Sequence, residues 1–492
     1  MQRGSGILLH LSSLPSPYGI GTMGKEAYAF ADFLKQSGQK FWQILPLGPT
    51  SYGDSPYQSF STFAGNPYFI DFDLLSKDGA LKAEDYCHLN WGDDSDTVDY
   101  ARIFALRFGV LKTAWANDRI RLEREVGDFR IKNSYWIENY AMYMALKFSF
   151  DQRSYQEWDM DIKCRKPEAM AEAYSRLKDD IDFWVYVQYR FFEQWNKLKT
   201  YANERGIQII GDIPIYVAED SADAWAHHEI LQLDENRTPL RVAGCPPDYF
   251  AAKGQLWGNP LYNWQALKDS RYLWWIARMR AALSMYDIVR IDHFRGFSAF
   301  YSIPYGREDA VVGEWVQGPG MDFFRVLQEE LGGNLPIIAE DLGLLDDGVR
   351  NLLKDTGFPG MKVVQFGLTP GQNSEYLPHN YPRNTVAYIG THDNNTLCGW
   401  FSEEPADVQE FACAYMRTKP EEVHWGFIET MMASSADTVI FTAQDLLGLD
   451  EAARMNTPST LGGNWMWRLE SMDLFDETLA KRLKKLSDVY SR

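Results

Sequence analysis

Eight short apolar runs constrain this chain more than anything else in it: GILLH (6–10), FWQIL (41–45), IQIIG (207–211), DIVRI (287–291), PIIAE (336–340), KVVQF (362–366), TVAYI (385–389) and TVIFT (438–442). They are rich in β-branched and aromatic residues, and a short apolar run without alternation suits a strand buried on both faces. Helical patterns separate them, such as GKEAYAFADFLKQSG after the first and DFFRVLQEELGG before the fifth. Strand followed by helix implies parallel pairing through crossovers. Eight such repeats predict an α/β fold, a (β/α)8 TIM barrel. An open, doubly wound sheet is the alternative.

The spacing between runs is uneven. A chain of 492 residues has room for one large barrel with insertions, and it reads as a single barrel over 1–492. The stretch between the second and third runs is far longer than one crossover helix needs. Its segments ARIFALRFGVLKTAW and NYAMYMALKFSF predict a mainly helical insertion over 76–200. A loop-rich insertion follows over 213–285, where RVAGCPPDYFAAKGQLWGNPLYNW has Gly, Pro and aromatics but no period. A small insertion over 297–335 follows the fourth run.

Composition excludes partners more than it names them. The net charge of −19 argues against nucleic acid and acidic membranes, because phosphate binding needs a basic face. Aromatics make up 15% with 17 Trp, which suits either a generous core or a surface that stacks on flat ligands such as sugars. The five cysteines are widely spaced, with no C-x-x-C, as in a reducing compartment. No run is long enough for a membrane span and the N-terminal run is too polar for a signal peptide, so the expected location is cytoplasmic. GIGTMG (19–24) fits the dinucleotide fingerprint but does not directly follow its strand, and the next strand ends without an acid to hold a ribose. No metal-binding motif occurs, and no cofactor is expected.

Chemistry gathers where the apolar runs end. Five continue into an acid: IIGDIPIY, VRIDHFRGF, IIAEDLG, YIGTHDN and IFTAQDLLG. One such acid alone is better read as a helix cap. Five on one rim of a barrel fit the mouth where catalytic groups of this fold sit. Arg290 and Asp292 are two apart, so on a strand they face the same way, and the arginine would keep Asp292 ionised. A structural ion pair is the alternative. Glu340 and Asp341 point to opposite sides. Glu340, closing an apolar run, would have a raised pKa and act as a general acid, while Asp341 suits a supporting or capping role. His392 and Asp393 are placed to meet ligand hydroxyls, with Asn394 or Asn395 starting a helix. One ionised and one protonated carboxyl make up the kit for retaining glycoside chemistry, with the carboxyls about 5–5.5 Å apart.

Taken in order, GILLHLSSLPSPYGIG, SYGDSPYQSFSTFAGNPYFI, GDIPIYV, PPDYFAAKGQLWGNPLY, RIDHFRGF, IIAEDLG, THDN and NWMWRL resemble the amylomaltases, the 4-alpha-glucanotransferases of glycoside hydrolase family 77. The resemblance implies a barrel without a separate C-terminal β-domain. It implies Asp292 as nucleophile, Glu340 as acid/base and Asp393 as stabiliser of the transition state. Arg290, His293 and His392 would hold the donor sugar, with Asp212 and Tyr57 lining the same region, and Ser55, Asn394 and Asp341 are further candidates for substrate binding. A flap at about 243–259 would meet the acceptor through Asp248, Tyr249, Phe250, Gln255 and Trp257. Cys245 stands where a small aliphatic residue is expected, and Ser459 where glycine is common. The implied activity is transfer between malto-oligosaccharides and other α-1,4-glucans, with glucose as an acceptor, by a monomer or weak homodimer. An α-glucan hydrolase would use the same carboxylates. A non-catalytic glucan-binding protein would be expected to lack one of them.

Overall fold

The computed structural model describes residues 2–51, 53–247, 252–343 and 345–492. All eight apolar runs form strands of one parallel sheet: β1 (Gly4–Leu8), β2 (Phe41–Gln43), β3 (Gln208–Pro214), β6 (Ile288–Asp292), β9 (Ile337–Ala339), β10 (Gly360–Val363), β11 (Thr385–Tyr388) and β12 (Thr438–Thr442). Their spatial order is β10-β11-β12-β1-β2-β3-β6-β9. The Ala339 N–H donates to the Pro359 carbonyl at 3.0 Å, which brings β9 against the start of β10 and closes the circle. The doubly wound alternative is thereby excluded, and the fold is the TIM barrel. The run at 362–366 differs in register from the expectation, because Val364–Gly367 turns as a 3-10 segment after β10.

The helices bury the faces their periodicity defines. Lys25–Gln36 turns Ala27, Phe30, Ala31 and Leu34 inward, and Phe30 meets Trp42 of β2 edge-on at 5.1 Å. Between β2 and β3 lie Tyr100–Asp118, Ile137–Ser149 and Lys178–Glu204, which pack on one another. Buried Asp118 accepts from both Arg190 and Tyr186, so its charge is paired inside this layer. Trp42, Trp184, Trp195, Trp225 and Trp275 are fully buried, so these five serve the core and not a sugar-binding surface.

A second sheet was not legible beforehand. Strands β4 (Arg241–Cys245), β5 (Gln255–Pro260), β7 (Ala299–Pro304) and β8 (Glu314–Gln317) pair antiparallel in the order β5-β4-β7-β8. The 213–285 segment supplies the first two and the 297–335 segment the others, around a small core of Val242, Tyr301, Ile303 and Ala310. These strands are short, three of the four carry Gly or Pro, and one of the three pairings joins residues as distant as Arg241 and Pro304. Nothing local announces it.

Candidate active site

Register builds the site from the barrel floor upward. Asp212 of β3 is opposite Arg290 of β6, and Ile291 is opposite Ala339 of β9. Arg290 Nη1 lies 2.5 Å from Asp212 Oδ2 and 3.0 Å from Asp292 Oδ1. Side-chain exposure rises from 0% at Asp212 and 3% at Arg290 to 30% at Asp292, so the floor is sealed and the mouth is open. Tyr57 completes the floor. Its hydroxyl donates to Asp212 Oδ2 at 2.9 Å and its ring stacks on His392 at 5.2 Å. Ser55 Oγ accepts the Tyr57 N–H at 3.3 Å and so shapes the turn that aims this tyrosine.

Glu340 is the next residue along β9. His293 follows Asp292 with φ 53°, a left-handed kink that ends β6 and turns the His293 N–H toward the neighbouring strand. That N–H donates to Glu340 Oε2 at 2.7 Å, and the Leu342 N–H donates to Oε1 at 2.7 Å. The Glu340 carboxyl is therefore fixed beside the backbone that carries Asp292.

The electrostatics differ from the expectation at one point. Arg290 was expected to hold Asp292 below the usual carboxylate range. Burial raises Asp292 instead, Arg290 opposes that, and Glu340, Asp212 and Asp393 add to the rise. Arg290 is shared with Asp212, so it cannot neutralise the whole cluster. Burial also raises Glu340, against Arg290 and the two amide bonds. The two carboxyls thus favour holding one proton between them. Burial keeps the neighbouring histidines neutral: His293 is lowered to about 3, with Arg295 adding to the effect, and His392 is lowered too.

Asp393 stands at the rim, 43% exposed, with Oδ2 3.4 Å from His392 Nε2. Asn456 donates to its Oδ1 at 2.7 Å. Across the mouth, Gln255 and Trp257 are alternate residues of β5. Trp257 donates from Nε1 to Gln255 Oε1 at 3.1 Å, and its ring meets His293 edge-on at 4.7 Å. The second sheet therefore touches the turn after Asp292. The expected flap residues Asp248, Tyr249 and Phe250 lie outside the described residues.

Asp341 takes the capping role expected of it: its Oδ1 accepts the Met361 N–H at 2.6 Å, where β9 meets β10. Two expectations need correction. Neither Asn394 nor Asn395 starts the helix Leu397–Glu403; Thr396 caps it, and Asn394 Oδ1 instead accepts the Thr391 N–H at 2.9 Å. Asp445 does not join the rim. It is buried and accepts the Leu397 N–H at 2.6 Å.

Sequence reasoning missed Asn456, Arg454, Trp465 and His10. Trp465 packs 5.8 Å from Tyr57 and 5.9 Å from His392, and His10 lines the cavity behind His392. The only available signal was that Asn456 and Trp465 flank a Gly-rich loop beside NWMWRL. Ser459 in that loop has φ 65°, the left-handed region that explains a preference for glycine there.

A barrel mouth with clustered carboxylates and neutral histidines has the acid–base groups of an enzyme of the (β/α)8 class. The family model described as 4-alpha-glucanotransferase, glycoside hydrolase family 77, matches residues 9–474. A 4-alpha-glucanotransferase of Clostridium butyricum is 47% identical over 98% of this chain and 100% of its own length. The Thermus thermophilus enzyme of the same name is 43% identical over 100% of this chain and 99% of its own. The amylomaltase from Streptococcus agalactiae, solved in complex with acarbose, superposes with TM-score 0.97 at 45% identity over 100% of both chains. The chain belongs to the 4-alpha-glucanotransferase family, glycoside hydrolase family 77.

Proposed function

We propose that this enzyme transfers α-1,4-glucan segments between malto-oligosaccharides by retaining double displacement. One observation carries the chemistry: Glu340 is held by the amide of His293, directly beside Asp292, in a pair that favours one shared proton. Asp292 attacks the anomeric carbon while Glu340 gives its proton to the departing glycosidic oxygen. A glycosyl–Asp292 ester and a shortened glucan result. Glu340, now ionised, takes the proton from the 4-hydroxyl of an incoming sugar, whose oxygen displaces Asp292 with overall retention. Asp393 stabilises the positive charge that develops on the sugar ring.

Arg290, Asp212, Tyr57, Ser55, His293, His392 and Asn394 bind or shape the donor side. Gln255 and Trp257, with Asp248, Tyr249 and Phe250 of the flap at about 243–259, meet the acceptor. The helical insertion at 76–200 and the flap limit the access of water, which favours a sugar acceptor over hydrolysis. Glucose also serves as an acceptor. The S. agalactiae relative's complex with acarbose supports a carbohydrate ligand. The scattered cysteines support action in the cytoplasm, and the enzyme acts as a monomer or weak homodimer.

Maltotriose alone, followed for product length and total reducing ends, tests this. The expected outcome is glucose plus a ladder of longer maltodextrins at constant reducing ends. Rising reducing ends with only shorter products would make the enzyme a hydrolase, and glucan binding without turnover would make it a binding protein.

A further inference from the structure

The segment 454–465 reaches both walls of the mouth. At one end Asn456 Nδ2 donates to Asp393 Oδ1 at 2.7 Å. Arg454 braces the same pair, donating from Nη2 to the Asp393 carbonyl at 3.2 Å and from Nε to the Asn456 carbonyl at 2.9 Å. At the other end Trp465 packs against Tyr57 and His392. In between, Ser459, Gly462 and Gly463 have φ of 65°, 79° and 74°. Asn464 pins this left-handed loop, accepting the Thr457 N–H at 2.9 Å and donating to the Thr460 carbonyl at 3.2 Å. The loop's shape thus sets where Asn456 stands.

Asp393 needs such a support. It sits on an open turn, and its longer contact to His392 does not fix a rotamer. We propose that Asn456 is a positioning residue, holding Asp393 so that its Oδ2 faces the donor sugar ring. The inference rests on the double-displacement reading, in which charge appears on that ring only in the transition state. A fixed carboxylate is worth most there, because it needs no reorganisation as the charge develops. An asparagine amide suits the role chemically: it donates to the carboxylate without adding a charge, whereas an aspartate of the same size would offer no donor and would repel it.

Steady-state disproportionation of maltotriose by the wild type and by Asn456→Ala, Asn456→Asp and Asn456→Gln tests the proposal. A misaimed stabiliser should cost about a hundredfold in kcat, with KM changed by no more than about twofold, for both Ala and Asp, and Gln should recover part of the loss. With α-maltotriosyl fluoride as donor, Asn456→Ala should cost almost nothing further once Asp393→Asn is present. If Asn456→Ala lowers the melting temperature, the isosteric Asp variant carries the comparison. A kcat within about twofold of wild type, a loss confined to KM, or a loss that multiplies in full upon Asp393→Asn would overturn the role of Asn456. A wild type that builds no maltodextrin ladder would instead overturn the functional reading beneath it.

Discussion

Arg290 serves two carboxylates with one guanidinium, and that sharing sets the pH behaviour of the site. Burial and the crowding of acids raise both Asp292 and Glu340. In the proposed mechanism the active form carries one proton on the pair. Activity should therefore fall as a second proton binds at low pH and as the last one leaves at high pH. Because both groups are raised, the acidic limb of kcat/KM should lie above the usual carboxylate pKa of about 4, and Glu340→Gln should abolish the alkaline limb. Stability follows the same sign: the protonated pair contributes fully at low pH, and that contribution is lost as pH rises through the raised values. Tyr57 makes a second test. Tyr57→Phe removes a donor from Asp212, which has 0% side-chain exposure. It should cost about 1–2 kcal/mol in urea unfolding and lower kcat, since Arg290 must then compensate Asp212 more fully. Arg290, Asp292 and Glu340 were legible as residues, because strand alternation dictates which way they face. Their proton balance was not, since it depends on Asp212 of β3 and on amides that only the packed strands bring close.

At the scale of elements, two strand pairs from separate insertions make one sheet against the site. The hairpin of β4 and β5 depends on Gly244. A Cβ there would stand 2.2 Å from the Gln255 carbonyl oxygen, closer than any real contact. Gly244→Ala should force the strands apart, lower stability by about 1–3 kcal/mol and reduce kcat/KM for maltotriose, because Gln255 and Trp257 lie on the displaced strand. Calorimetry with steady-state kinetics reads both effects. An unchanged kcat/KM in a destabilised variant would mean that β5 does not present its residues to the acceptor. The barrel strands announced themselves because burial on both faces demands unbroken apolar runs. A sheet with little core of its own, as here, leaves no such trace, and its Gly and Pro residues read as loop.

Across the whole molecule, stability and chemistry occupy opposite ends of the barrel. Far from the mouth, Arg492 donates to the carbonyls of Met432 at 2.7 Å and Ser434 at 2.9 Å, and to that of Gly4 at 3.3 Å. Arg3 donates to the Ala436 carbonyl at 3.1 Å in the same region. Arg492→Met should cost about 1.5–3 kcal/mol of stability, read as a lower melting temperature. The kcat measured well below that temperature should stay at the wild-type value, as expected for the face of a TIM barrel that carries no chemistry.

The sequence by itself determined the barrel, the eight strands and the strand-end acids, because period and polarity are local properties that no partner needs to supply. Only the tertiary structure decided which of those acids share a proton and which merely cap amides. Asp445 and Asp341 come soon after their strands, as Glu340 does, but Leu397 and Met361 amides hold them within the walls, whereas the His293 amide holds Glu340 beside Asp292. The role of Asn456, the second sheet and the sharing of Arg290 were likewise decided there. Each depends on groups far apart in the chain, and the free energy of such a contact exists only once the barrel has closed around it.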